Sequence, residues 1–147
     1  KKPNASVSNW GREQYDNIVK GVADCEFAWE HAPKFKGTVY RGTTINKAGD
    51  EYQKKYYNDV MKGNEIELGV YTSTSTSESV GNDWSGRSSS AESFKFIIKA
   101  NGRGGRSVES MSNYSREKEV LFRPESRFKI TKREKVGHRW VIYMDEL

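Results

Sequence analysis

The sequence predicts an α+β fold, in which helices pack against a mainly antiparallel β-sheet. Apolar residues recur at helical spacing in the first part of the chain, whereas after residue 69 they alternate with polar residues at the period of two that strands show. Helices that precede the strands argue against repeated β-α-β units, in which the two kinds of element alternate. The length of 147 residues fits one domain, which we place at residues 1–147.

Two helices are predicted before residue 64. The first covers residues 12–31, where apolar residues recur at spacings of three and four until Pro33 ends the pattern. The second covers residues 50–62 and ends at Gly63. Its apolar face comprises Tyr52, Tyr56 and Val60. Each helix therefore has one face that can pack against a sheet.

Strands are predicted from alternating runs at residues 94–99, 127–131 and 139–144, and from shorter stretches at residues 38–40, 71–77 and 120–122. The glycine-rich residues 101–106 follow a strand but open no helical pattern, and they lack the full spacing of a dinucleotide-binding fingerprint. This stretch is therefore predicted to be a loop.

The composition excludes several kinds of site. The single cysteine, Cys25, rules out an internal disulfide bond, and neither it nor His31 and His138 has the spacing of metal ligands, so no metal is expected. No apolar run approaches the ~20 residues that span a bilayer, so no membrane partner is expected. The abrupt ends of the chain are those expected of a domain excised from a larger protein.

The formal charge of +5 and the pI near 9.2 favour anionic partners. The basic residues of the last third are Arg123, Arg127, Lys129, Lys132, Arg133, Lys135 and Arg139. A solvated face explains this stretch more simply than a dedicated binding patch. A non-catalytic nucleic-acid-binding module is an alternative, although the RNP, KH and zinc signatures of such modules are absent.

Two glutamates stand two residues apart at the start of a predicted strand. They are Glu117 and Glu119, with Lys118 between them, and an apolar run follows. Because side chains alternate along a strand, both carboxylates are expected to point to the same side. Like charges held so close disturb each other's protonation, which indicates chemistry rather than solubility.

Two further motifs precede the glutamate pair. Arg41 follows a short strand, and Ser73 opens a Ser-Thr-Ser stretch. In this order, the three motifs resemble the R-S-E class of mono-ADP-ribosyltransferases, which includes bacterial toxins and effectors that modify arginine. The resemblance covers residues 38–144 and implies two packed sheets split by an NAD-binding cleft, with helices on the N-terminal side. Ser75 also satisfies the serine motif. We choose Ser73 because residues 77–80 then fall where relatives begin the next helix.

The resemblance implies three catalytic residues. Glu119 would hydrogen-bond the ribose 2′-hydroxyl and stabilise the positive charge that develops on the sugar. Ser73 would orient Glu119. Glu117 would bind the acceptor guanidinium and help to remove its proton, because a protonated guanidinium is a poor nucleophile. Arginine-modifying members have glutamate at this position, whereas members with other acceptors have glutamine.

The resemblance also implies binding residues. Arg41 would bind the NAD phosphates through two parallel hydrogen bonds, and the trio Trp84, Arg87 and Tyr114 would contact nicotinamide, phosphate and the protein target in that order. The full set of expected NAD-binding residues is Arg41, Gly42, Thr74, Ser75, Trp84 and Arg87.

The function that these motifs imply is transfer of ADP-ribose from NAD to arginine on a target protein, with NAD glycohydrolase activity beside it. Such an enzyme would be a toxin or effector, secreted or delivered into the cytoplasm of a target cell. NAD is then the donor substrate, and the expected partners are the target protein and a cognate immunity protein. RNA or DNA as acceptor is the main alternative, which the basic last third would favour.

Overall fold

The computed structural model of the protein describes residues 23–79, 92–108 and 118–147. The regular elements in these ranges are α1 (residues 23–31), β1 (Lys34–Ile45), α2 (Glu51–Lys62), β2 (Glu65–Glu67), β3 (Thr72–Ser75), β4 (Glu92–Ser107), β5 (Glu119–Phe122), β6 (Arg127–Val136) and β7 (Arg139–Glu146). None of the helices described is long and apolar enough to cross a membrane.

The strands of the described ranges form one hydrogen-bonded sheet in the order β1-β3-β5-β4-β7-β6-β2, with a further pairing of β1 with β4. Every pairing is antiparallel except that of β4 with β7. Strand β4 joins two arms of the sheet, because residues 93–99 pair with β7 whereas residues 105–107 pair with β5. The α+β class and the mainly antiparallel sheet are confirmed. The strands that were expected in two sheets form one hydrogen-bonded sheet, because β4 pairs with strands of both arms.

The core lies between α2 and the sheet. Val60 of α2 is fully buried in the same cluster as the aromatic side chains of β4, β5 and β6. Each of these rings is at most 2% exposed: Phe94, Phe96, Phe122 and Phe128. Full burial of one such side chain contributes about 1.5–3 kcal/mol, so the cluster holds α2 firmly against the sheet.

Helix α2 has nearly the predicted bounds because both of its ends are capped. The Asp50 carboxylate accepts a hydrogen bond from Gln53 N at 2.8 Å. At the other end, Gly63 N donates to Asp59 O at 3.0 Å. The prediction for the packed face holds for Val60 but is wrong for Tyr52, which is 53% exposed.

The basic stretch of β6 is engaged with the protein's own surface. The Arg133 guanidinium donates to Val60 O at 2.7 Å and to Gly63 O, so it binds the last carbonyls of α2. Lys132 lies 3.2 Å from the Glu134 carboxylate. These contacts are those of a solvated sheet face and of a side chain that caps a helix.

The glycine-rich stretch predicted as a loop is the second half of β4. A Cβ atom at Gly105 would lie 3.0 Å from the Phe122 ring, so this strand passes too close to β5 for a side chain there. Gly104 O accepts a hydrogen bond from Trp29 Nε1 at 2.7 Å, which attaches α1 to the strand. The guanidinium of Arg106 lies 4.0 Å from the Trp29 ring centre and strengthens this attachment.

Strand β1 separates the two helices, so the expected order of helices before strands holds only for α1. Of the predicted first helix, residues 23–31 are helical and residues 12–22 lie outside the described residues. The helix ends at His31, as predicted, two residues before Pro33.

Candidate active site

The candidate site lies where β3 pairs with β5. Glu119, the first residue of β5, is partly exposed and stands opposite Ser75 of β3. The hydroxyl of Ser73 donates a hydrogen bond to the Glu119 carboxylate at Oε2. A carboxylate held in this way has a fixed orientation before any ligand binds. The structure therefore brings together the serine and the glutamate that the motifs singled out.

The next two residues of β3 hold the strand in place. Thr74 and Ser75 are fully buried. Thr74 Oγ1 donates to Val120 O at 2.8 Å, and Ser75 Oγ accepts a hydrogen bond from Ser77 N at 3.0 Å. Both hydroxyls thus bond to the protein's own backbone, and the expected contact of these residues with NAD stays a prediction.

Arg41 of β1 lies beside the same serine. Its Nη1 donates to Ser73 O at 2.7 Å. Ser73 therefore binds Arg41 through its backbone carbonyl and Glu119 through its hydroxyl. Burial lowers the pKa of Arg41, and the neighbouring Tyr56 of α2 opposes this shift. Arginine remains charged at neutral pH in spite of such a shift. Gly42 continues β1 and is buried, and its expected approach to a ligand stays a prediction.

Tyr56 is a neighbour of the site that the sequence did not indicate. Burial raises the pKa of Tyr56 to about 12, and the positive charge of Arg41 acts in the opposite direction. The ring of Tyr56 also packs against Phe96, with 6.5 Å between the ring centres. The helical period predicted that Tyr56 lies on the apolar face of α2, but it could not predict that this face would bring Tyr56 near Arg41 of β1.

Helix α1 brings a thiol close to the glutamate. Burial raises the pKa of Cys25, and the negative charges of Glu119 and Asp24 raise it further. Cys25 therefore stays a neutral thiol at neutral pH. It packs against a small buried cluster that comprises Ala32, Val108 and Leu121. The sequence predicted only a small helix residue here, because its proximity to β5 is a tertiary contact.

The residue before Glu119 has an unusual backbone. Lys118 has a φ of 49°, in the left-handed region that residues with a Cβ rarely adopt. The strand begins only at Glu119, so the period of two does not extend back through Lys118. Glu119 itself lies in the strand, and Glu117 lies outside the described residues, so the expectation that both carboxylates point to the same side stays a prediction.

Four predicted site residues lie outside the described residues. They are Trp84, Arg87, Tyr114 and Glu117. Their roles stay predictions. Among residues 23–79, 92–108 and 118–147 the structure has no group of three or more His, Cys, Asp or Glu side chains placed to hold a metal ion.

This arrangement suits chemistry at a centre that becomes positively charged. Glu119 of β5 offers a carboxylate of fixed orientation. Arg41 of β1 places a positive charge on the other side of β3. A carboxylate stabilises a developing cation, whereas a guanidinium binds phosphate or carboxylate groups of a ligand.

Comparison with known proteins agrees with the family resemblance that the sequence motifs indicated. Residues 35–143 match the model of the ADP-ribosyltransferase exoenzyme family. The chain is 33% identical over 145 residues to Vis of Vibrio splendidus (strain 12B01), whose curated name provisionally assigns it NAD(+)–arginine ADP-ribosyltransferase activity. That alignment covers 92% of this chain and 53% of Vis, so the chain spans about half the length of this curated relative.

Solved structures resemble this one over nearly the whole chain. The crystal structure of ADP-ribosyltransferase Vis in complex with agmatine has a TM-score of 0.73 at 28% identity, and the match covers 98% of this chain and 63% of that one. Exoenzyme S of Pseudomonas aeruginosa, solved with human 14-3-3 protein beta and Carba-NAD, has the same fold, with a TM-score of 0.58 at 18% identity over 95% of this chain and 60% of its own. The chain belongs to the ADP-ribosyltransferase exoenzyme family.

Proposed function

We propose that this chain is the catalytic domain of an NAD-dependent mono-ADP-ribosyltransferase that modifies arginine on a target protein. The observation that carries the proposal is the hydrogen bond from Ser73 to Glu119, beside the guanidinium of Arg41. Membership of the family and the similarity to Vis support the reaction, and the agmatine bound to Vis is a small guanidine that supports arginine as the acceptor.

In the proposed reaction, the bond between nicotinamide and the ribose C1′ atom breaks and C1′ becomes bonded to a guanidine nitrogen of the acceptor. Glu119 stabilises the positive charge on the sugar, with Ser73 holding its carboxylate. Glu117 binds the acceptor and takes the proton that the guanidine loses. Arg41, with Arg87, binds the phosphates, and Gly42 allows backbone to approach the ligand. Trp84 contacts nicotinamide, and Tyr114 contacts the target.

Nicotinamide release and acceptor labelling test this function together. The protein is incubated with NAD and agmatine, and, as a matched control, with NAD and a diamine of similar length that lacks the guanidine group. We expect ADP-ribosyl-agmatine and no diamine product. An equal yield from both amines would contradict an arginine acceptor, and RNA labelling that ribonuclease removes but protease does not would establish a nucleic-acid acceptor instead.

Glu119→Gln is the decisive variant. It keeps the size of the side chain but removes the charge, so we expect both nicotinamide release and transfer to fall by ~10²-fold or more. Circular dichroism should show unchanged folding. Near-normal turnover in folded Glu119→Gln protein would contradict the proposed site.

The same relative supports a proposal for the setting of this activity. Vis is described as a toxin. We propose that this domain acts as a toxin or effector in the cytoplasm of a target cell, with a target protein as its substrate and an immunity protein as its inhibitor in the producing cell. Binding of the purified domain to proteins of the producing strain tests the second partner.

A further inference from the structure

A small cavity lies at the turn between β5 and β6, away from the candidate active site. It has a volume of about 90 Å³ and is enclosed by this turn, the glycine-rich half of β4 and the end of β7. We propose that the cavity binds one tetrahedral oxyanion, either inorganic phosphate or the phosphoryl group of a small ester. The ligand groups would be the Ser126 hydroxyl and three arginine side chains.

The Ser126 side chain lines the cavity without a partner of its own. Ser126 is 5% exposed, and its backbone is fixed, because Ser126 N donates to Arg123 O and Ser126 O accepts from Leu68 N, both at 3.1 Å. Its Oγ atom has no hydrogen-bond partner among residues 23–79, 92–108 and 118–147. A buried hydroxyl without a partner is unfavourable, so a polar ligand that accepts its proton would be stabilising.

Strand β4 leaves room beside this hydroxyl because residue 104 is glycine. A Cβ atom at Gly104 would lie 2.4 Å from Ser126 Oγ and 2.9 Å from Glu146 Oε2. One water molecule needs about 10–15 Å³ of such space, so a cavity of about 90 Å³ admits a polar group several times larger.

Three arginines line the cavity and favour an anion. They are Arg103, Arg123 and Arg127. Within the part of the chain that the structure describes, Arg103 forms no ion pair, whereas Arg127 is paired with Glu65 and Arg123 Nε lies 3.6 Å from Glu125. A guanidinium has five N–H donors, so one such pair leaves donors for a second anion.

The two carboxylates at the cavity do not cancel this charge. Glu125 is 70% exposed, so water screens it. Glu146 is buried, but its Oε1 accepts from Asn101 N at 2.8 Å and its Oε2 from Gly104 N at 2.7 Å. The Glu146 charge is therefore already compensated by two backbone donors.

A fourth arginine adds to the positive charge beside the cavity. Burial lowers the pKa of Arg106, and the positive charge of Arg123 lowers it further, whereas Glu146 acts in the opposite direction. Both guanidiniums lie against the Trp29 ring, at 4.0 Å for Arg106 and 4.7 Å for Arg123 from its centre. An anion bound by Arg123 would offset the repulsion between these two side chains.

This cavity is distinct from the site at which NAD is expected. Glu119 is the first residue of β5, whereas Arg123 follows the last one. Four residues of strand span roughly 13 Å, so the two sites lie at opposite ends of β5. The oxyanion site is therefore a second site, and its existence does not depend on the proposed reaction.

Calorimetric titration with inorganic phosphate, in chloride buffer of constant ionic strength, tests the proposal directly. We expect saturable binding to the wild type, and a Kd that rises about tenfold in Ser126→Ala and in Arg103→Gln. Lys129→Gln is the matched control, because it removes one exposed positive charge from β6 outside the cavity and should bind as the wild type does. Glycerol phosphate in place of phosphate shows whether an ester also enters.

Thermal unfolding supplies the second measurement. Phosphate stabilises folded proteins in general, so the informative quantity is the gain in melting temperature over chloride, compared between variants. We expect the gain in wild type and Lys129→Gln to exceed that in Ser126→Ala by about 3 °C at saturating phosphate. Each variant's melting temperature in chloride serves as its own baseline.

The contrary outcomes are specific. The same Kd in Ser126→Ala and the wild type would overturn the proposal, as would a thermal gain that is equal in all variants. Arg41→Lys distinguishes the expected NAD-phosphate site, and it should bind inorganic phosphate as the wild type does. Loss of phosphate binding in Arg41→Lys but not in Ser126→Ala would place the anion in the catalytic cleft and overturn a second site.

Discussion

Ser73 and Ser75 stand two residues apart in one strand but have different partners. Ser73 donates to the Glu119 carboxylate, whereas Ser75 accepts a hydrogen bond from Ser77 N. Both serines satisfy the serine motif. From the sequence alone, the choice of Ser73 depends on where the next helix would begin. The contact with Glu119 assigns the two serines to different tasks.

Alanine substitutions should separate these tasks. Ser73→Ala leaves Glu119 without its side-chain donor, so we expect nicotinamide release to fall about tenfold with little change in melting temperature. Ser75→Ala removes a buried hydroxyl that is bonded, which should destabilise the protein by about 1 kcal/mol and affect the rate less. The reverse pattern would exchange the two roles.

Arg41→Lys tests the phosphate assignment. A lysine keeps the charge but cannot make two parallel hydrogen bonds, so we expect the Kd for NAD measured by calorimetry to rise about tenfold. An unchanged Kd, together with a lower melting temperature, would show that Arg41 serves only to bind Ser73 O.

The C-terminal end of helix α2 is stabilised by its local cap and also by a strand that follows it by many residues. The sequence signals at Asp50 and Gly63 predicted where this helix starts and stops, because caps are local. The contribution of Arg133 was not predictable, since its contact with Val60 O requires β6 to pack beside the helix. For the same reason, the sequence predicted a loop at residues 101–106: the ring of Phe122 explains a glycine strand only once β5 is in place.

Arg133→Met should therefore destabilise the whole protein. It leaves two carbonyls at the end of α2 without charged donors, and hydrogen bonds to charged groups contribute about 1.5–3 kcal/mol. Lys132→Met, at the adjacent position on β6, removes an exposed ion pair with Glu134 and a cation–π contact with the Tyr143 ring, and it should cost about 1 kcal/mol or less. Urea denaturation measures both, and equal effects would contradict the capping role.

The stability of the complete molecule should decrease at alkaline pH. Burial raises the pKa of Tyr56 to about 12, above the ordinary value of 10.0, so the folded state retains a proton that the unfolded state loses. This contribution is present below pH 10 and is lost as the pH rises towards 12. Burial raises the pKa of Tyr57 and Tyr71 in the same direction.

Tyr56→Phe provides the measurement. The variant lacks the ionisable hydroxyl, so its free energy of unfolding should fall less steeply than that of the wild type as the pH approaches 12. Tyr52→Phe, one turn earlier at an exposed position, is the matched control and should follow the wild type. Parallel curves for Tyr56→Phe and the wild type would contradict the burial of this hydroxyl.

Much of the molecule followed from local signals, and the rest depended on contacts between distant segments. The ordered motifs identified Arg41, Ser73 and Glu119, and in the structure both Arg41 and Glu119 contact Ser73. The proximity of Tyr56 to Arg41 and the left-handed backbone of Lys118 arise from packing, so no spacing in the sequence indicated them.

The position of β7 has a consequence for the order in which the protein can assemble. This strand follows all the others in the chain, yet it lies between β4 and β6 in the sheet. Until it emerges during synthesis, β6 and β2 have no attachment to β4, whereas β3 and β5 can already pair with each other and with the end of β4. The β3–β5 pair that carries Ser73 and Glu119 can thus form early, while attachment of β6 and β2 waits for the late, parallel pairing of β7 with β4, which is a slow kind of step.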